Sequence, residues 1–150
     1  PLYFKGRKYR ADGEKAVMAA ACSKFMSLAN AAGFCLFGLM MGSKRIPSFA
    51  WLNAATGWTR TPEQYLETGA RIQTLKQAFN IRQGVDPRSV KVPDRMLGRP
   101  ALTQGANKGR TTDLETVRSA YWRQFGWDPE TGRPGDDAVR PLGPGAGKTD

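Results

Sequence analysis

The sequence predicts a mainly α, multihelical fold with long ordered loops and an extended tail. Three observations carry this. Two segments show apolar residues at steps of three and four behind capping signals. No segment alternates convincingly between apolar and polar residues, as a half-buried strand does. Gly and Pro gather in residues 85–110 and 129–150.

Each element follows in chain order. Residues 1–12 are basic and aromatic and read as a connecting strand or loop. Asp12 is a plausible N-cap for the first helix. Val17, Ala20, Ala21, Phe25, Leu28 and Ala29 recur at helical spacing, while Ala19, Cys22 and Met26 fill the other faces. A helix apolar nearly all round is expected to be buried. Asn30 to Gly33 breaks it, and Phe34 to Gly42 resumes as a short apolar helix or turn. In Ile46 to Gly57, Pro47 can start a helix, Phe49, Leu52 and Ala55 share a face, and Gly57 can close it. The clearest helix follows. Thr61 is its N-cap, Pro62 its first residue, and Gln64 completes a capping box. Leu66, Gly69, Ile72, Leu75 and Phe79 form its stripe, in which Gly69 would admit a neighbouring backbone. Gly84 is a stop signal. Residues 85–110 read as a long loop wrapping the body. Thr112 and Glu115 make a second capping box, Leu114, Val117, Tyr121 and Phe125 the core face of the last helix, and Gly126 its end. Residues 129–150 are rich in Gly and Pro, poor in large apolar side chains, and read as an extended tail. The chain begins at Pro1 without an initiator Met or a visible signal peptide, which suggests the C-terminal piece of a longer polypeptide.

The 150 residues include 23 Lys and Arg against 13 Asp and Glu, with no His, a formal charge of +10. Such a balance fits either a solvated basic surface or an anionic partner. The densest group is Lys5, Arg7, Lys8 and Arg10, and there is no run of five or six like charges. A basic helical nucleic-acid-binding module is the alternative reading, and it rests on charge alone. Trp51, Trp58, Tyr121, Trp122 and Trp127 lie on or beside apolar faces, as packing residues rather than a stacking platform. No nucleic-acid partner is therefore expected. Trp51 and Trp58 could line a pocket at a domain interface. Residues 25–42 are uncharged and near the minimum length for a membrane span. Ser27, Asn30, Gly33 and Gly38 interrupt them, so no membrane span is expected.

Without His, Ser–His and Cys–His catalysis are excluded, and zinc fails for want of ligands. Gly145-Ala-Gly147-Lys148-Thr149 has no strand before it or helix after it, and reads as tail rather than a phosphate loop. Asp136 and Asp137 in the same tail read as solvated. The only thiols, Cys22 and Cys35, fit a reducing cytoplasm better than a disulfide framework. Cys35 follows a helix break at Gly33. It is either a small core residue or a metal or cluster ligand. An iron–sulfur cluster of the [4Fe–4S] type takes four thiolates. Cys35 could then supply only part of the set.

Four segments occur in order: Asn30–Phe37; Trp51-Leu-Asn-Ala-Ala-Thr-Gly57-Trp58; Gly69-Ala-Arg71-Ile72 through Phe79-Asn80-Ile81-Arg82-Gln83-Gly84; and Tyr121-Trp-Arg-Gln-Phe-Gly126-Trp127-Asp128. Together, up to about Leu142, they resemble the C-terminal region of the aldehyde:ferredoxin oxidoreductase family. The resemblance implies tungsten, sometimes molybdenum, held between two pterin dithiolenes beside a [4Fe–4S] cluster. It implies that residues 1–128 are a helical domain on one side of the cofactor cavity of a larger enzyme, not catalytic alone, with 129–150 as its tail. The family motif Asp-x-x-Gly-Leu-Cys corresponds to Asn30-Ala-Ala-Gly33-Phe34-Cys35. Cys35 is then the fourth cluster ligand, and Asn30, Gly33 and Phe34 are pterin contacts. Asn30 replaces the acid and loses charge assistance. Phe34 replaces Leu and is larger. The implied reaction is oxidation of an aldehyde to a carboxylic acid, with electrons leaving for ferredoxin or a similar acidic carrier. The implied partners are the upstream domains of the same polypeptide and that carrier, in the cytoplasm. No catalytic acid or base lies in these residues, and oligomeric state is left open.

Overall fold

The computed structural model describes residues 13–41 and 46–139. The N-terminal segment, Asp12 as a cap, Gly42 and the Gly145–Thr149 motif lie outside them. Among the described residues six α-helices run in order: α1 (Gly13–Ala31), α2 (Leu36–Met41), α3 (Ser48–Thr56), α4 (Pro62–Arg82), α5 (Leu114–Arg123) and α6 (Asp136–Val139), with a 3-10 turn at Asp94–Leu97. Among the described residues the only extended pairings are isolated bridges, Leu102 with Lys108 and Trp127 with Pro134. The multihelical architecture agrees with the sequence expectation.

α1 packs chiefly on α4 and also on α5. The crossing with α4 is set by Gly69, where an added Cβ would run into the backbone carbonyl of Lys24. A glycine thus lets the two helices approach to backbone contact. Beside the crossing, the Ser27 hydroxyl donates to the Gln73 side-chain oxygen at 3.2 Å. Phe25, Phe49 and Tyr65 form an aromatic stack that fixes α3, with Phe49 and Tyr65 nearly parallel at 5.5 Å. On the α5 side, Lys24 reaches over the Phe125 ring, 5.1 Å from its centroid, and donates to the Gln124 carbonyl at 3.1 Å. A cation at a helix C-terminus meets carbonyls that have no partner within the helix.

The capping at the start of α4 is as expected: Thr61 accepts from Gln64 N–H while the Gln64 side chain accepts from Thr61 N–H. Gly57 ends α3 in the left-handed conformation. The cap of α5 differs. Asp113, not Thr112, is the N-cap, and its carboxylate accepts from Glu115 N–H and Thr116 N–H. Both residue types can cap, but Asp113 also accepts the Thr116 hydroxyl at 2.6 Å.

Three further expectations change. α1 is not buried all round: Ala16, Ala20, Ser27, Leu28 and Ala29 are buried, but Val17 and Cys22 are exposed. It meets α4 and α5 on one side only. The buried face of α4 is Tyr65, Gly69, Thr74 and Ala78, rotated from the expected stripe, and Phe79 is 60% exposed. Residues 129–139 are not an extended tail but part of the body. Asp128 accepts the backbone N–H groups of Glu130 and Thr131. Gly132 at φ +71° lies flat on Trp122, where a Cβ would come within 2.6 Å of the ring. Val139 of α6 is buried, and α6 rests on α4. Composition reads this stretch as extended because its few apolar side chains understate its backbone contacts.

Trp127 closes the core here. It is buried, and its indole N–H donates to the Thr74 hydroxyl at 3.1 Å.

Candidate cofactor-ligand site at the α1–α2 turn

The end of α1 is built by local rules. Gly33 takes φ +75°, the left-handed conformation that glycine tolerates without strain. Ala32 N–H then donates to Leu28, Gly33 N–H to Asn30 and Phe34 N–H to Ala29, at 2.9, 3.2 and 2.9 Å. These bonds close the last carbonyls of α1 and turn the chain sharply. Cys35 follows as the residue entering α2, its carbonyl accepting from Leu39 N–H at 3.0 Å. A helix-entry position faces amides that the helix itself leaves unsatisfied.

The turn brings Asn30, Gly33, Phe34 and Cys35 together on one surface. Asn30, Gly33 and Cys35 are exposed, and Phe34 is half-buried. No atom lies within 4 Å of where a Gly33 Cβ would be, so the turn borders open space. Leu36 is exposed and Phe37 is 72% exposed, so apolar surface surrounds the thiol. Among the described residues nothing buries Cys35 as a core side chain: it is exposed. Cys22 is also exposed, on α1. No group of three or more His, Cys, Asp or Glu assembles among the described residues. The donor set offered is therefore one thiol, one carboxamide and backbone.

A second exposed cluster joins α3 to α4. Trp51 and Trp58 are 53% and 50% exposed. Asn53 holds the connecting loop through both backbone polar groups of one residue, donating to the Arg60 carbonyl (2.9 Å) and accepting Arg60 N–H (3.1 Å). Tyr65 donates to the same Asn53 oxygen at 2.7 Å. Arg60 lies over Trp58, 4.4 Å from the ring centroid. The sequence signals the two tryptophans but not the Asn53 bracket, because a bond from side chain to backbone seven residues away has no periodic signature.

Asp113 and Asp128 titrate below the ordinary aspartate range, each chiefly through a threonine hydroxyl, Thr116 and Thr131 respectively, and then through backbone N–H groups. Both are structural caps. No acid–base pair poised for catalysis appears among the described residues. No helix among them is long and apolar enough to cross a membrane.

The described residues thus offer an exposed thiol at an open turn but no complete set of metal donors. The family model described as "Aldehyde ferredoxin oxidoreductase, domains 2 & 3" matches residues 4–143. The chain is 35% identical over 134 residues to the tungsten-containing aldehyde ferredoxin oxidoreductase of Pyrococcus abyssi, covering 87% of this chain and 21% of that protein. It is 32% identical over 142 residues to the protein of that name from Pyrococcus furiosus, covering 93% and 23%. For that of Thermococcus kodakarensis the figures are 35% over 134 residues, covering 87% and 21%. No solved structure matches. The chain belongs to the aldehyde ferredoxin oxidoreductase family, a family of oxidoreductases, and spans between a fifth and a quarter of the length of these relatives.

Proposed function

We propose that this chain forms one wall of the cofactor cavity of a tungsten bis-pterin oxidoreductase and that Cys35 is a ligand of its [4Fe–4S] cluster. The observation that carries the reading is the exposed Cys35 thiol at the α1–α2 turn, bordered by open space and exposed apolar side chains. A thiolate is the donor that iron–sulfur clusters take, and four are needed. Cys35 supplies one, and other parts of the polypeptide supply three.

The reaction is RCHO + H2O → RCOOH + 2 H+ + 2 e−. When bound, the pterin-held tungsten supplies the oxidising centre at which the aldehyde carbon gains its second oxygen. The residues of this chain position and connect. Cys35 would hold one iron of the cluster, which would supply one-electron transfer. The Gly33–Phe34 backbone offers N–H and C=O groups to a pterin edge. The Asn30 carboxamide can both donate and accept there, without the charge assistance of an acid. The Phe34 ring would narrow the space a pterin or substrate enters. The rest of the polypeptide and an acidic carrier such as ferredoxin are the partners of this reading, and the cytoplasm is its compartment.

Cys35→Ser in the full-length protein tests it. The expected result is loss of the cluster's iron and of its electron paramagnetic resonance signal, with the fold retained. Full retention of both in the variant overturns the ligand assignment.

A further inference from the structure

The basic charge of the described residues is concentrated in one place. Residues 88–110 hold six cations and one acid, Asp94, a net +5. The other described residues hold nine cations against ten acids, a net −1. No contiguous run marks the loop in the sequence, because its cations are spaced by neutral residues. All six are exposed, Arg88, Lys91, Arg95, Arg99, Lys108 and Arg110, and of these Arg88 is already paired with Glu115 at 3.2 Å.

The loop is held in place. Thr112 N–H donates to Leu97, Gly109 N–H to Leu102 and Arg110 N–H to Asn107, at 2.9, 2.9 and 3.1 Å. Gly98, at φ +71°, lets the Arg110 carbonyl approach so closely that any Cβ would collide with it. The fold so made encloses a cavity of about 240 Å³, with Arg95 and Arg110 on its wall beside Met96 and Leu102. Met96 is 76% exposed.

We propose that residues 88–110 are a docking surface for an acidic protein, with an acidic side chain of the partner seated in the cavity beside Arg95 and Arg110. Charge complementarity selects an anionic partner. The make-up of the loop selects a protein over nucleic acid. It contains no aromatic residue, so it offers bases nothing to stack on. It does present Met and Arg together, the pairing enriched at protein interfaces. A preformed loop also loses little conformational freedom on binding. The proposal rests on the reading above for the carrier's identity: the acidic redox carrier is the partner that this surface fits.

The test is equilibrium binding of an acidic ferredoxin to the full-length protein across a range of salt concentrations. It requires neither turnover nor the Cys35 cluster. Loss of activity in a Cys35 variant therefore leaves it intact. Arg95→Gln with Lys108→Gln is expected to weaken binding about tenfold at low salt and to flatten its salt dependence. Lys91→Gln with Lys108→Gln, which leaves the cavity wall untouched, should move in the same direction. Lys76→Gln with Arg123→Gln removes the same charge elsewhere and should change affinity less than twofold. Equal losses from the loop and control pairs, or none from either, overturn the proposal. So does an oligonucleotide that binds as tightly as the ferredoxin and loses affinity in the same loop variants.

Discussion

The chain treats its aromatic residues in two opposite ways. Around α5, Trp122 and Trp127 are buried, and Trp127 is hydrogen-bonded to Thr74. Between residues 34 and 58, Phe37 stands largely in solvent and Trp51 and Trp58 about half so, and Cys35 is exposed as well. The first region is a finished core. The second is apolar surface of the kind that marks a contact yet to be made. The two differ in what their backbones meet: glycines at 69 and 132 press the first region's elements together, whereas Gly33 and Gly57 open onto empty space. Buried and exposed aromatic side chains are thus concentrated in different stretches of the chain.

The sharpest way to break this contrast is at the α1–α4 crossing. Gly69→Ala gains up to about 1 kcal/mol in helix propensity. The methyl group must also displace the Lys24 backbone, and overpacking of this kind costs about 3 kcal/mol. The clash wins, and urea unfolding should show a net loss near 2 kcal/mol. Gly33→Ala, where a Cβ meets nothing, tests the other side: its cost is the left-handed backbone alone, about 1 kcal/mol.

A paired substitution probes the aromatics themselves. Trp127→Phe removes a buried hydrogen bond and should cost about 1–3 kcal/mol. Trp58→Phe, at a half-exposed site, should stay within about 0.5 kcal/mol in the same unfolding measurement. Equal effects would erase the distinction between the regions.

The smallest effect concerns acid. Asp113 and Asp128 titrate below their ordinary value when folded. The unfolded chain therefore binds more protons at low pH, and stability rises with pH through that range. Their contribution is complete above about pH 4 and is lost as pH falls through the lowered folded values. Asp113→Asn and Asp128→Asn together should flatten stability against pH below 4 and lower it modestly near neutrality, since Asn caps without the carboxylate's charge. An unaltered acid limb in thermal unfolding would assign it to other carboxylates.

How much of this was legible beforehand follows from the range of each signal. The cap at Thr61–Gln64 and the stop at Gly57 are local, and the sequence shows them completely. Gly69 was legible as a point of close approach, because glycine in an apolar stripe has few other uses. The exposure of Leu75 and Phe79 was not, since periodicity defines a face without saying what covers it. Choosing Asp113 over Thr112 required knowing which oxygen reaches the α5 amides. At the candidate site, the position and turn of Cys35 were readable. Its solvent exposure was not, because an Ala-rich apolar neighbourhood favours burial on composition alone. The basic loop has no signature in the sequence, because its cations are separated by other residues.

Lys24 offers a last consequence. Its bond to the Gln124 carbonyl joins residues 100 positions apart, so α1 acquires its α5 partner only after most of the chain exists. Contacts of such long sequence separation form late and slowly. During synthesis, α1 can dock on α4 first, and it gains its α5 contact only once α5 has emerged from the ribosome.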